Sequence, residues 1–286
     1  MSTVEIILVV FGTSAFFAIG SFTCVIIDRL PVALDEPNRF GELWDTRPWP
    51  EVLGGNSRCS SCGEPVRPQD NIPVVSWLIL RGNCRGCGDR IPGFHPVVEL
   101  ITPLLFLGAV WSIGSDWRLL PALWLIPVGV SVSAIDLRTM IVPTRIVWPA
   151  FFVSVALSVV AAVAEGEWLW LRNGVIGILV LAGPLFVLWF LLPKSMGFGD
   201  VRLATLLGFS IGFFSGVRPM GGVALAVCAL GLASILGLTV GIVALGARGR
   251  KAQVPFGPSM VASAFICIAL ASQILEPFGQ WGLTHG

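Results

Sequence analysis

The chain has 286 residues, 55% hydrophobic and 12% charged, with eleven Trp and no Tyr, and its mean hydropathy is +0.85. Roughly a quarter of a water-soluble domain is Asp, Glu, Lys and Arg, so this composition excludes one and indicates a polytopic membrane protein. A net charge of +1 gives no basic excess for a nucleic-acid partner, and seven Cys are too few for a disulfide scaffold.

A bilayer crossing needs about 20 mostly apolar residues with the backbone satisfied inside the segment, so long apolar runs predict helices. Eight runs, at about 4–27, 96–113, 119–135, 146–164, 174–192, 201–217, 221–246 and 256–275, predict an all-α membrane protein of eight transmembrane helices. The first is read as a retained span, because Glu5 is the only charge before Asp28 and a secretory signal would carry a basic start. Between the first two spans, residues 28–95 hold 8 Arg and 9 acidic residues. This is the one substantial water-exposed insert, and the chain is expected to divide into a first helix (1–27), the insert (28–95) and a seven-helix core (96–286). The first part of the insert, Pro31 to Asn56, lacks helical or strand periodicity and predicts an irregular loop.

Eight crossings place both termini on one side. Outside the insert, Arg138, Arg145, Lys194, Arg202, Arg248, Arg250 and Lys251 fall on the insert's side, against Arg118, Arg172 and Arg218 on the other. The positive-inside rule therefore puts the insert in the cytoplasm and both termini outside.

Within the insert, Cys59-Ser-Ser-Cys62-Gly and Cys84-Arg-Gly-Cys87-Gly form two C-x-x-C-G knuckles. Two residues between thiolates let one tight turn aim both sulfurs at a metal, and Gly63 and Gly88 accept the positive φ of such a turn. A pair of disulfides is the competing arrangement, but cytoplasmic thiols are kept reduced. Four sulfurs would make a closed, structural zinc site. Cys24, Cys228 and Cys267 lie singly in apolar spans and read as small core hydrophobes.

Ionisable groups at membrane helices are costly and mark function. Asp136 follows the run ending at Ile135, and Asp200, in Gly197-Phe198-Gly199-Asp200, precedes the run from Val201. Both fall on the cytoplasmic side by loop parity. Asp200 has the alternative of capping its helix, and Asp136 that of a loop residue beside Arg138. Together they suggest an aspartyl dyad, one carboxylate activating water and the other donating a proton, with Gly197 and Gly199 letting an extended backbone approach Asp200. Helix-dipole direction biases Asp200 toward the ionised role and Asp136 toward the protonated one. Glu99 is read equally as a buried hydrogen-bonding or interfacial group or as a substrate contact, His95 as a loop residue, and Val254-Pro255-Phe256-Gly257-Pro258 as a shape element opening the last span.

These residues resemble the bacterial type IV prepilin peptidases, bifunctional leader peptidase and N-methyltransferase enzymes of the GxGD aspartyl class. Gly20-Ser21-Phe22 with Arg29-Leu30-Pro31 is similar to the family's GSFxNVxxxRLP signature. NIPVVSWLILRGNCRGC from Asn71 and HPVVEL ending at Leu100 are similar to its NIPxxSYLxLRGKCxxC and YPxVEL block, and VPFGP to its late PFGP element. The resemblance implies that Asp136 and Asp200 are the catalytic pair and that Cys59, Cys62, Cys84 and Cys87 bind zinc. It further implies that prepilin or pseudopilin substrates lose a cytoplasmic leader at the bacterial inner membrane, and that the new N-terminus is methylated from S-adenosylmethionine. Cys24, Ser60, Trp77, His95, Thr144 and Arg202 depart from the family pattern. The alternatives are a peptidase without methyltransferase activity and a zinc-knuckle transporter using the aspartates as a proton relay.

Overall fold

The computed structural model describes residues 3–30, 48–193, 196–218, 220–248 and 254–279. Every regular element among them is helical; the only extended pairings are two isolated bridges, Arg58 with Pro65 and Asn83 with Arg90. The chain divides into two compact units, Met1–Gly108 and Ala109–Gly286.

In the first unit, α1 (Thr3–Arg29) packs against α4 (Phe94–Ile113). Phe16 stacks on Phe106 with ring centroids 4.7 Å apart. The contact is close because Gly20 presents no side chain, and a Cβ there would lie 3.0 Å from Glu99 Cα. Small residues let membrane helices approach in this way. The insert between them carries two short helices, α2 (Trp49–Leu53) and α3 (Val75–Ile79), and a 3-10 turn at Pro68–Asn71.

The irregular loop expected from Pro31 to Asn56 is thus corrected at α2; residues 31–47 lie outside the described ones. Pro50 presets φ in the first turn of α2. At its other end the Arg29 guanidinium donates to the carbonyls of Val52, Gly54 and Asn56 at 3.2, 2.5 and 3.2 Å. The Val52 carbonyl is one of the orphan acceptors that a helix end leaves, and Gly54 and Asn56 follow the helix.

The second unit contains α5 (Leu119–Thr139), α6 (Thr144–Glu165), α7 (Leu169–Leu191), α8 (Phe198–Phe214), α9 (Gly221–Arg248), α10 (Gly257–Ala269) and α11 (Ala271–Gly279). Helix α8 is the centre, packed against α6, α7, α9 and α10. Val201, Leu203, Ala204 and all residues from Leu206 to Phe214 are buried, the pattern of a helix enclosed on every side. Its contact with α7 is backbone to backbone: a Cβ on Gly177 would come within 2.1 Å of the Gly208 carbonyl oxygen, and one on Gly208 within 2.6 Å of the Gly177 oxygen. At the end of α8, the buried Asn173 donates through Nδ2 to the carbonyls of Gly216 and Arg218, at 2.7 and 3.2 Å.

Six helices are long and apolar enough to cross a membrane, or seven if a pair bent by 71° counts as one span, against the eight expected. Two segments account for the difference. Helix α8 has 17 residues, about 25 Å at 1.5 Å per residue, short of the ~30 Å hydrocarbon core. The span expected at 256–275 is the bent pair, α10 and α11, which breaks at Leu270.

Candidate active site and metal centre

Helix α5 runs past the expected end of its apolar stretch, so Asp136 lies inside its last turn. The helix closes at Met140, whose left-handed φ of 56° turns its N–H back to the Asp136 carbonyl. The Asp136 side chain is buried, and its Oδ2 accepts the Gly257 N–H at 3.0 Å. Gly257 is the first residue of α10, and a Cβ there would lie 2.6 Å from that oxygen. The VPFGP segment therefore does more than shape the entry to a helix: it presses a bare backbone amide onto the carboxylate.

Asp200 lies in the first turn of α8, which follows an extended Gly197 at φ −74° and ψ 143°. It is half-buried and takes no hydrogen bond on its carboxylate from the described residues. The end of α5 and the start of α8, which carry the two candidate aspartates 64 positions apart, converge at Gly257, where an added Cβ would meet Asp136 Oδ2 at 2.6 Å and Leu203 Cδ2 at 3.5 Å. The two glycines play different parts. Helix α8 already includes Gly199, whose missing Cβ admits Val142, since an added Cβ would sit 2.9 Å from that residue's own. At Gly197 an added Cβ would meet Asp200 only at 3.8 Å, an ordinary contact.

Thr144 and Arg202, two departures from the expected family pattern, meet each other: Arg202 Nη1 donates to Thr144 Oγ1. The same guanidinium lies 4.7 Å from the Phe198 ring centroid. This links the first turns of α6 and α8 beside Asp200, and neither residue type signals the pairing in the sequence. In the first unit Glu99 is a buried acceptor, taking the Val74 N–H at 2.7 Å. His95 is in the first turn of α4, not a loop, with Nε2 3.0 Å from Asp28 Oδ2. Cys24 is buried and donates to the His95 carbonyl oxygen at 3.7 Å. Cys267 is buried as expected of a core hydrophobe, whereas Cys228 is exposed on α9.

The two knuckles repeat one geometry. Cys59 N–H reaches the Glu64 carbonyl and Gly63 N–H returns to the Cys59 carbonyl; Cys84 and Gly88 do the same with Asp89 and Cys84. Gly63 and Gly88 hold φ of 72° and 76°, where a side chain would be strained. All four Sγ atoms lie within 4.8 Å of one another, with Cys59 and Cys87 at 3.8 Å. A tetrahedral metal with sulfur at ~2.3 Å needs edges of about 3.8 Å, so four reduced thiols are already placed to hold one. The N–H groups of Cys62 and Ser61 point at Cys59 Sγ and hold its thiol down at about 6, favouring the thiolate that a metal binds.

The model of the Bacterial Peptidase A24 N-terminal domain matches residues 15–113, and that of the Type IV leader peptidase family matches 122–269. A prepilin leader peptidase/N-methyltransferase of Aeromonas hydrophila is 31% identical over 93% of this chain and 91% of its own. The chain belongs to the type IV leader peptidase family. Relatives of the same name from Pseudomonas putida and Neisseria gonorrhoeae are each 29% identical, over 90% and 93% of this chain and 88% and 92% of theirs. No solved structure matches. Leader peptidase family membership agrees with the resemblance read from the motifs, and the two matched regions carry the thiol cluster and the aspartates respectively.

Proposed function

We propose that this chain is an inner-membrane prepilin leader peptidase in which Asp136 and Asp200 form the catalytic pair, and that it also N-methylates the new N-terminus. The meeting of these two carboxylates in the terminal turns of α5 and α8 carries the reading. Asp136, oriented by the Gly257 N–H, takes a proton from water as the oxygen attacks the scissile carbonyl, while Asp200 donates its proton to the carbonyl oxygen. Collapse of the resulting diol sends a proton to the departing amine and regenerates the pair.

This division reverses the one that dipole direction suggests. A hydrogen bond to a charged group contributes about 1.5–3 kcal/mol, against about 0.3–1 kcal/mol for a charge near a helix end. The only such bond from the described residues goes to Asp136.

Cys59, Cys62, Cys84 and Cys87 would hold a structural zinc ion, which shapes the insert and takes no part in hydrolysis. The relatives are named N-methyltransferases, and S-adenosylmethionine would be the methyl donor to the amine that cleavage exposes. The working division is the first helix (1–27), a cytoplasmic insert (28–95) and a membrane core (96–286), with both termini outside and prepilin-like proteins as substrates. A proton-relay transporter would need its carboxylates near the bilayer midplane, whereas these occupy helix ends.

The test is mass spectrometry of a prepilin-like peptide incubated with the purified protein, with and without S-adenosylmethionine. Asp136→Asn and Asp200→Asn should each abolish cleavage, and metal analysis should find one zinc that Cys84→Ser removes. Cleavage surviving either Asn substitution rejects the pair; absence of a methyl adduct rejects the second activity.

A further inference from the structure

Helix α3 and the turn before it carry an apolar face without a role in the site above. Among the described residues of the insert, the large hydrophobic side chains that are exposed all fall in one stretch: Ile72, Val75, Leu78 and Ile79, at 49%, 48%, 61% and 70%. Positions 75, 78 and 79 share one side of a helix by the three- and four-residue spacing. Trp77 points elsewhere, its ring lying against Gly82, where an added Cβ would meet it at 2.9 Å.

The Glu99 contact fixes how deep this face lies. Glu99 is the sixth residue of α4, about 7.5 Å beyond Phe94 at 1.5 Å per residue. Its Oε2 accepts the N–H of Val74, the residue on which α3 begins. Side chains lean toward a helix's N-terminus, so Val74 stands level with the first turn and a half of α4. At that level α4 is already dressed for lipid: Val97, Leu100 and Ile101 are 60%, 46% and 42% exposed, and the whole helix qualifies as a membrane span. Val74 also holds φ at 61°, rare and strained for a β-branched residue. The backbone accepts that strain while meeting Glu99, so this depth is built into the turn and is not a chance of loop packing. Directly after α3, the exposed Arg81 (φ 52°) and Gly82 (φ 70°) turn the chain back toward Cys84.

We propose that the Val75, Leu78 and Ile79 face of α3, with Ile72, is a membrane-interface foot of the insert. It seats in the headgroup and upper acyl region of the leaflet where α4 begins, with Arg81 at headgroup level. A short amphipathic helix whose apolar side enters this boundary is a stable arrangement, and here α4 supplies the depth through one hydrogen bond. The foot steadies the zinc knuckles against the bilayer and is separate from the cleavage chemistry.

The test uses the full-length protein in vesicles of phosphatidylethanolamine and phosphatidylglycerol, with a photoreactive phenylalanine analogue placed singly at position 78, 79 or 60. Irradiation should give lipid adducts at 78 and 79 at least ten times more abundant than at 60, on the exposed first knuckle. Glu99→Leu should reduce the adducts at 78 several-fold while zinc content is retained, and Glu99→Gln, which keeps an acceptor, should preserve them. Adduct yields at 78 and 79 no higher than at 60 overturn the proposal. So does crosslinking confined to an added prepilin peptide, which would make the face a substrate contact.

Discussion

Gly257 and Asp136 compete for the same space, and only the absence of a side chain settles it. The Oδ2 atom occupies a position 2.6 Å from where a Cβ would stand, and the same oxygen takes the Gly257 N–H. Gly257→Ala therefore has to displace the carboxylate or the start of α10. A misplacement near 1 Å costs roughly 100-fold in rate, so kcat for leader cleavage should fall by about that factor while zinc content and helical circular dichroism stay unchanged. Thr144 and Arg202 offer a second test beside the same site. Because Arg202 donates to Thr144, the effects of Thr144→Ala and Arg202→Lys on kcat/KM should be non-additive, with a coupling of about 0.5–3 kcal/mol. Strict additivity in the double variant would show that the contact is idle. The aspartates were legible in the sequence because charge is scarce there and each stands at the edge of an apolar run. Gly257 was not, since a backbone N–H aimed across 121 positions leaves no trace in residue type. At Gly199 the sequence shows a small residue but not that Val142 fills the space it leaves.

Among the elements, α8 depends most on what its sequence omits. Gly177 and Gly208 face each other, and Gly212 faces the Asn173 carbonyl, where a Cβ would come within 2.0 Å. Gly208→Ala pushes two backbones apart across this contact, and overpacking of this kind costs about 1–3 kcal/mol. It should lower the unfolding temperature in detergent, whereas Gly231→Ala on α9, with no neighbour within 4 Å of the added Cβ, should leave it unchanged or raise it slightly. Equal effects would mean that the α7 and α8 contact is not tight. The knuckles were fully legible, because two residues between cysteines and a following glycine specify a turn almost by themselves. The short helices were not. Helix α3 has five residues and α2 also five, too few for a period to emerge, and both depend on tertiary partners, Glu99 and Arg29, that no local pattern announces.

At the scale of the molecule, the question is whether α8 crosses the membrane, because its 17 residues fall short of a span. Its contacts with α7 supply the answer that its length does not. The Trp189 ring near the end of α7 lies 4.6 Å from that of Phe198 at the start of α8. Asn173 near the start of α7 bonds to the carbonyls of Gly216 and Arg218 just past the end of α8. The two helices are therefore antiparallel, and α8 is matched to α7 from position 189 to position 173, about 24 Å of rise. Helix α7 is itself long and apolar enough to span, so an α7 that spans would carry α8 across nearly its full depth. Enclosure by protein lets its ends fall short of the interfaces, since the helices around it meet the lipid in its place. Counting α8, and α10 with α11 as one bent span, would give the eight crossings expected from the sequence and, with them, the proposed placement of the insert inside. Alkaline phosphatase fused after Arg218 should be active outside the cell membrane, as should a fusion to the full chain, while one fused after Pro193 should be inactive. Loss of activity at both Arg218 and the full-length terminus would make α8 re-entrant. Loss at the full-length terminus alone would leave the bent pair, α10 and α11, as the segment that fails to cross.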